Sequence, residues 1–241
     1  MAGRDDVVPA KLRKLTVVVP VYNERNTLVE VLRRMRAVEL PDGIEKEIIV
    51  VDDGSTDGSV DVLRQLGDST VRVVTHAKNR GKGAAVRTGI QVATGDYILI
   101  QDADLEYDPE DWPKMIAPVQ RGRARVVYGS RFTGERRNML FLHWIGNRLL
   151  SFVTNLLYNT TLSDMETCYK LVDRSLMLEL SLRSNRFDIE PEITAKILKR
   201  RIRIYEVPIS YTGREFDEGK KITWRDGFAA LWALAKFRFA D

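Results

Sequence analysis

The 241-residue sequence is short of cysteine, histidine and long apolar runs. A single cysteine, Cys168, excludes an internal disulfide framework and is compatible with a reducing cytoplasm. Two histidines, His76 and His143, are too isolated to predict a zinc site. No uncharged run reaches the roughly 20 apolar residues that a membrane-spanning helix needs, and Leu149–Leu162, with 14 residues, contains Ser, Thr and Asn. We therefore expect a chain that does not cross a membrane by itself.

Charge is nearly balanced over the whole chain but is unevenly distributed along it. The formal net charge is +4, and the 44% apolar content is enough for a packed core. Asp102–Asp111 carries six acids and no base, Arg121–Arg137 carries six arginines and one acid, and Lys196–Arg203 carries five positive charges. Such patches suit nucleic acid, anionic lipid or phosphorylated substrates, although solvated charged faces look the same in a sequence.

The first half of the chain alternates strand-like and helix-like segments. Short β-branched runs typical of buried parallel strands are Leu15–Val21, Glu47–Val51, Val71–Thr75 and Tyr97–Gln101. Segments with apolar residues at helical spacing lie between them, at Asn26–Val38, Ser59–Leu66 and Lys82–Ala93. This order predicts an α/β fold with a mostly parallel, doubly wound sheet flanked by helices.

The second half is less regular. Strands are predicted at Arg125–Gly129 and Ile202–Ser210, and helices at Asn138–Tyr158, Phe187–Lys199 and Thr223–Phe239. The N-terminal segment has no apolar stretch typical of a signal peptide. We predict a disordered leader over residues 1–14 and a single domain over residues 15–241, ending in a helical elaboration.

Acidic residues follow two of the predicted strands at the edge where α/β sheets bind ligands. Asp102-Ala103-Asp104, with Glu106 two residues on, offers the oxygen ligands that Mg²⁺ or Mn²⁺ prefers. Asp52-Asp53-Gly54-Ser55 follows the second strand in the same manner. Helix capping is the alternative for the second motif, but two acidic strand ends in one sheet favour a binding site.

Two further motifs fall near the same edge. Val19–Glu24 leaves the first strand at Pro20 and places Tyr22 and Glu24 where they could hold a base. Asn79-Arg80-Gly81-Lys82-Gly83 begins a predicted helix, where glycines and a helix N-terminus favour bound anions. It lacks the spacing of a P-loop.

Together these four features resemble the nucleotide-binding half of family 2 glycosyltransferases, which have the GT-A fold. The resemblance extends from Leu15 to about Ile222 and is greatest to the branch that makes polyprenyl- or dolichyl-phosphate sugars. Further motifs that carry it are Gly129-Ser130-Arg131, Ser163–Leu171, Phe187–Glu190, and Val207–Tyr211 with Arg214.

The resemblance implies a function for individual residues. Contacts to the nucleotide-sugar would come from Pro20, Tyr22, Glu24, Asp52, Asp53, Lys82 and Asp102, with Arg214, Lys220 and Lys221 closing over the diphosphate. The metal ligands would be Asp102, Asp104 and Glu106. Asp104, Arg131 and Asp164 would be catalytic, and Arg131, Arg148 and Ser151 would bind the acceptor. Four residues before Ser151, where relatives carry arginine, this chain has Asn147.

The activity implied is an inverting hexosyl transfer from a donor of the UDP-glucose or GDP-mannose type to a polyprenyl (dolichyl or undecaprenyl) phosphate. Mg²⁺ or Mn²⁺ would be the cofactor. Residues 15–120 would form the donor half and residues 121–241 the acceptor half. We expect a peripheral protein at the cytoplasmic face of the membrane, attached directly through its aromatic helices or through a membrane-anchoring partner, and no nucleic-acid partner.

Three alternatives remain at this stage. A family 2 enzyme with a soluble or polysaccharide acceptor would share the first half of the chain. A sugar nucleotidyltransferase has a similar sheet but usually opens with a Gly-rich turn after the first strand, absent at Pro20–Glu24. A nucleic-acid-binding protein would explain the basic patches, but would leave the acidic strand ends without a function.

Overall fold

The computed structural model describes residues 10–66, 70–213 and 224–240. The strands of this part of the chain are β1 (Lys14–Val21), β2 (Glu45–Asp52), β3 (Val71–Thr75), β4 (Tyr97–Ile100), β5 (Val126–Ser130), β6 (Lys170–Asp173) and β7 (Tyr205–Pro208). Its helices are α1 (Leu28–Ala37), α2 (Ser59–Leu66), α3 (Lys82–Val92), α4 (Trp112–Gln120), α5 (Phe141–Tyr158), α6 (Arg174–Glu179), α7 (Ile189–Lys199) and α8 (Trp224–Phe239). Each element predicted from the sequence is present, with ends displaced by three residues at most.

All seven strands form one sheet in the order β3-β2-β1-β4-β6-β5-β7. Strand β6 runs antiparallel to its neighbours β4 and β5, and the other pairs are parallel. The predicted mostly parallel, doubly wound sheet is therefore confirmed. The hydrophobic residues of β1 and β4 are buried on both faces of the sheet, as expected for strands between two layers of helices.

The reversed strand β6 was not predicted from the sequence, and neither were α4 and α6. β6 has only four residues and contains Lys170, so it lacks the apolar run of the other central strands. Because it is antiparallel, its start lies at the edge where β4 and β5 end. The segment before it, Asp164–Tyr169, is thereby brought to the carboxyl edge of the sheet.

The C-terminal helix α8 packs with one face on the domain and leaves another face exposed. Ala230 and Leu234 join Leu150 and Met165 in a small apolar cluster, and Phe237 packs with Ala195 and Ala233. Phe228 and Trp232 on the other face are 66% and 70% exposed. Helix α8 therefore packs on the domain with some of its apolar residues and exposes others. In the part of the chain that the structure describes, no helix is long and apolar enough to cross a bilayer.

Two glycines inside helices test how tightly the helical layers pack. A Cβ at Gly89 in α3 would lie 2.3 Å from Val18 Cγ1 of β1, whereas a Cβ at Gly146 in α5 would have no heavy atom within 4 Å. Alanine in place of helical glycine normally stabilises by about 1 kcal/mol. Overpacking costs about 1–3 kcal/mol.

We predict that the two alanine substitutions change the free energy of unfolding in opposite directions. Gly89→Ala is expected to lower the free energy of unfolding by about 1–2 kcal/mol because the overpacking exceeds the gain in helix propensity. Gly146→Ala is expected to raise it by about 0.5–1 kcal/mol. Urea unfolding of both variants and the wild type measures this. Stabilisation by Gly89→Ala would show that α3 does not pack on β1 as closely as described.

Candidate active site

The carboxyl ends of β1, β2 and β4 bring three of the predicted motifs together. The Asn23 backbone amide donates to Ser55 Oγ at 3.0 Å, and Thr56 N donates to Asn23 Oδ1 at 2.8 Å. Thr27 Oγ1 donates to the Ala103 carbonyl at 2.9 Å. These bonds connect the turn after β1 to the turns after β2 and β4. The half-buried Pro20 lies near the end of β1, and the exposed Tyr22 lies in the turn that follows it.

Asp52 is the last residue of β2, and only one of its two carboxylate oxygens accepts hydrogen bonds from the described residues. Its Oδ2 accepts hydrogen bonds from Gly54 N at 3.2 Å and Ser55 N at 3.3 Å. Its Oδ1 is buried and has no hydrogen-bond partner among the described residues. A buried carboxylate oxygen without a donor is costly, so this atom is suited to accept an N–H or O–H from a ligand.

Asp53 is directed away from the edge and holds a neighbouring loop. Its carboxylate accepts from the backbone amides of Arg80 and Gly81, at 3.0 Å and 2.7 Å. His76 Nδ1 lies 2.6 Å from Asp53 Oδ1, and His76 Nε2 lies 2.9 Å from Thr88 Oγ1. The protein itself therefore engages the Asp53 carboxylate, and His76 is a buried structural residue.

The glycines at the start of α3 are explained by close packing. A Cβ at Gly81 would lie 2.2 Å from the Asn185 carbonyl oxygen, and one at Gly83 would lie 2.6 Å from the Ser184 carbonyl oxygen. Ala84 N donates to the same Asn185 oxygen. The Arg80 and Gly81 amides bind Asp53, and the glycines make room for residues 184–186, so these two amides are engaged by the protein itself. Anion binding at the start of α3 stays a prediction.

Lys82 places one ammonium group between two carboxylates. Its Nζ lies 2.8 Å from Asp102 Oδ1 and 2.8 Å from Glu190 Oε1. Burial alone would lower the pKa of Lys82, but the attraction of Asp102 and Glu190 outweighs it and holds the pKa well above its usual value. Glu190 received no function from the sequence, since an acid in the first turn of a helix is also explained by the helix dipole.

The three predicted metal ligands have different partners in this structure. Asp102 pairs with Lys82, Asp104 Oδ1 accepts from Glu106 N at 3.1 Å, and Glu106 Oε2 accepts from Tyr211 Oη at 2.8 Å. Among the described residues, no three His, Cys, Asp or Glu side chains are grouped to hold a metal ion. The expected convergence of three carboxylates is therefore not found.

Asp102 and Asp104 nevertheless fit a divalent cation that is shared with a phosphorylated ligand. Both are hard oxygen donors at one strand end, and Asp104 is buried while Asp102 is partly exposed. Mg²⁺ is commonly bound by one or two carboxylates together with water and substrate phosphates, rather than by a complete protein cage. The pair suits this kind of site.

Arg131 and Asp164 form a buried ion pair at the end of β5. The guanidinium donates from Nε to Asp164 Oδ2 at 2.7 Å and from Nη2 to Oδ1 at 2.8 Å, a bidentate geometry. Burial would lower the pKa of Arg131, but Asp164 holds it well above its usual value. Arg131 Nη2 also donates to Asn147 Oδ1 at 3.3 Å. Asn147 is thus a partner of Arg131.

Helix α5 supplies the other predicted acceptor-side residues. The Ser151 hydroxyl is buried and accepts from Met165 N at 3.1 Å. Arg148 is exposed, with Nη1 donating to the Ser163 carbonyl at 3.4 Å. The face of α5 that carries Asn147 and Ser151 therefore touches the segment before β6. The predicted nucleotide contacts Arg214, Lys220 and Lys221 lie outside the described residues.

Comparison with known proteins agrees with this geometry. A model of the family described as "Glycosyl transferase family 2" matches residues 16–180. Curated relatives in Salmonella paratyphi A and Salmonella dublin, each an undecaprenyl-phosphate 4-deoxy-4-formamido-L-arabinose transferase, are 31% identical over 217 residues. The match covers 88% of this chain and 63% of each relative.

Solved structures of glucosyl-3-phosphoglycerate synthase from Mycobacterium tuberculosis share the fold. A complex with Mn²⁺, UDP and glucosyl-3-phosphoglycerate has a TM-score of 0.73 at 20% identity, covering 93% of this chain and 80% of that one. A complex with Mg²⁺ and UDP has a TM-score of 0.70 at 21% identity, covering 92% and 80%. The predicted GT-A fold is confirmed.

The half-buried acid Glu166, whose Oε1 is buried, gives the protein a pH-dependent stability. Burial, then the nearby Glu190, raise the pKa of Glu166 to about 7, although Lys170 opposes them. Because the folded pKa exceeds the unfolded one, folding favours the protonated form. The stability that it contributes is complete below the unfolded pKa of about 4.5 and is lost as the pH rises through about 7.

We predict that Glu166→Gln is more stable than the wild type at pH 8 by about 1–3 kcal/mol, with a smaller difference at pH 5. Urea unfolding at pH 5, 6, 7 and 8 measures this. Glu110→Gln, at an exposed position, is the control and should follow the wild type. Parallel pH profiles for Glu166→Gln and the wild type would contradict the assignment.

Proposed function

Because the chain belongs to glycosyl transferase family 2, we propose that it transfers a hexose from a nucleotide-sugar to a polyprenyl phosphate with inversion at the anomeric carbon. The observation that carries the proposal is that α5 has a polar inner face at the candidate site and an exposed apolar outer face. Through Asn147 its inner face binds Arg131, and its outer face exposes a row of large apolar side chains. The curated relatives, named as undecaprenyl-phosphate sugar transferases, support a lipid acceptor. This chain spans 63% of their length.

The donor half of the proposal rests on the edge formed by β1, β2 and β4. The unpartnered Asp52 Oδ1 offers an acceptor for a donor group of the nucleotide. We place the diphosphate beside Asp102, Asp104 and Lys82, and propose a donor of the UDP-glucose or GDP-mannose type. Mg²⁺ or Mn²⁺ held by Asp102 and Asp104 would act as a Lewis acid that neutralises charge on the diphosphate.

The acceptor half needs a cation more than it needs a base. In the proposed step an oxygen of the acceptor phosphate forms a bond to the anomeric carbon, and the bond from that carbon to the diphosphate oxygen breaks. A phosphate monoester has a second pKa of about 6 and is largely dianionic at neutral pH. Arg131, oriented by Asp164, supplies a fixed guanidinium that suits this phosphate.

The outer face of α5 explains how a lipid-borne acceptor would reach the site. Phe141, Leu142, Phe152 and Leu156 are between 64% and 79% exposed. Residues 136–163 contain three arginines and no acid, a composition suited to anionic head groups. An α-helix with its side chains is about 10–12 Å across, so a phosphate beside Arg131 would lie about one helix diameter from the bilayer surface. A peripheral position at the cytoplasmic face also suits the free, buried Cys168.

We predict that Asp104→Asn abolishes sugar transfer while the fold is retained, because one anionic oxygen is lost from the proposed cation site. The assay incubates labelled UDP-glucose or GDP-mannose with a short polyprenyl phosphate and Mg²⁺ or Mn²⁺, and counts the organic-extractable label. Asp108→Asn is the matched control, since Asp108 caps a turn in the same acidic stretch. Full activity of Asp104→Asn, or full activity of the wild type in excess EDTA, would rule out the metal site. Formation of product only with water-soluble acceptors would rule out the lipid acceptor.

We further predict that Phe152→Glu combined with Leu156→Glu weakens binding to vesicles that contain anionic phospholipid by about tenfold or more, because two exposed apolar contacts become charged. Flotation measures the bound fraction. Val29→Glu, at an exposed apolar position on α1, is the control and should float as the wild type does. Equal flotation of all three proteins would exclude α5 as the lipid-contacting surface.

A further inference from the structure

Lys82 is the centre of a three-residue charge cluster formed with Asp102 and Glu190. The ammonium lies 2.8 Å from one oxygen of each carboxylate. The Lys82 and Glu190 side chains are 15% and 5% exposed, and the Asp102 side chain is the most accessible at 22%. Lys82 thus has one buried anionic partner and one partner that faces the candidate active site.

The position of Glu190 is fixed independently of Asp102. Glu190 lies in the first turn of α7, where the helix dipole favours a negative charge. The loop before α7 packs on Gly81 and Gly83, and so joins the start of α7 to the start of α3. Glu190 Oε2 is buried and has no hydrogen-bond partner among the described residues. The backbone that carries Glu190 is therefore held in place by contacts that do not involve Asp102.

A cation that binds Asp102 must compete with Lys82 for that carboxylate. If Asp102 were its sole anionic partner, Lys82 would be left as a buried charge without compensation when a divalent ion bound there, which is strongly unfavourable. Glu190 removes this conflict because Lys82 keeps one ion pair at all times. The centroid of the Phe187 ring lies 5.9 Å from the ammonium.

We propose that Glu190 is a positioning residue: it is the permanent counter-ion of Lys82, and it releases Asp102 to bind the divalent cation of the donor complex. This inference rests on the proposed function. Lys82 then has two states. In the first its ammonium pairs with both Asp102 and Glu190, and in the second it pairs with Glu190 alone. In the second state the ammonium stays beside Asp102, where the diphosphate of the donor is proposed to lie.

The test is direct Mn²⁺ binding, measured from the electron paramagnetic resonance signal of free Mn²⁺ in the presence of UDP or GDP. Glu190→Gln is expected to weaken Mn²⁺ binding by about tenfold or more, since a buried lysine then competes for Asp102 without an alternative partner. The double variant Lys82→Met, Glu190→Gln is expected to recover most of the lost affinity when UDP or GDP is held at a concentration that saturates each variant, which compensates for loss of the proposed contact between Lys82 and the diphosphate. A purely structural function of Glu190 would not produce this recovery.

Glu47→Gln is the matched control for loss of a hydrogen-bonded carboxylate. Glu47 accepts from Thr16 and Thr94 near the start of β2, at the opposite end of the sheet. The Glu47→Gln variant should be less stable than the wild type but should bind Mn²⁺ with unchanged affinity. If Glu190→Gln does not fold, Glu190→Asp, which keeps the charge, should show a smaller loss in the same direction.

The two proposals fail in different ways. Unchanged Mn²⁺ affinity in the Glu190 variants, or no recovery in the double variant, overturns the counter-ion inference alone. Absence of Mn²⁺ binding by the wild-type protein with either nucleotide overturns the inference together with the donor half of the proposed function.

Discussion

The buried ion pair between Arg131 and Asp164 is the interaction on which the candidate site depends. It joins the end of β5 to the segment before β6, and it is bidentate and almost without contact with solvent. A guanidinium at that depth without a carboxylate would be strongly destabilising. The pair is possible because β6 runs against its neighbours and so places Asp164 at the edge where β5 ends. The direction of one four-residue strand thereby determines where the acceptor-side cation is held.

The same requirement for paired charges governs the donor side. Lys82 is compensated by Asp102 and Glu190, and Asp53 is compensated by backbone amides and His76. The Asp53 carboxylate therefore holds a loop in place, whereas Asp102 has a partner, Lys82, that a ligand could replace. The two carboxylates differ in burial, since Asp53 is 2% exposed and the Asp102 side chain is 22% exposed. One edge of the sheet can therefore carry both a carboxylate with fixed partners and a carboxylate that a ligand can reach.

Helix α5 connects this charged edge to an apolar surface. Its inner face reaches Arg131 through Asn147, and its outer face exposes Phe152 and Leu156. Near its C-terminal end, the Leu157 carbonyl accepts from Arg238 Nε of α8. Polar recognition and apolar exposure are separated by the width of one helix. This separation is compatible with the proposed acceptor, which has a charged head and an insoluble tail.

The sequence by itself determined the alternating β and α elements of the first half, since β-branched runs and helical spacing are local signals. It also determined that Asp52, Asp102 and Asp104 lie at strand ends. The tertiary structure decided the rest. Strand β6 is too short and too polar to be recognised locally, and Gly81 is explained by a carbonyl oxygen about a hundred residues further along the chain. The pairing of Lys82 with Glu190 is decided in the same way, because it depends on the start of α7 lying beside the start of α3. Distances between side chains of remote segments are set by packing and not by local pattern.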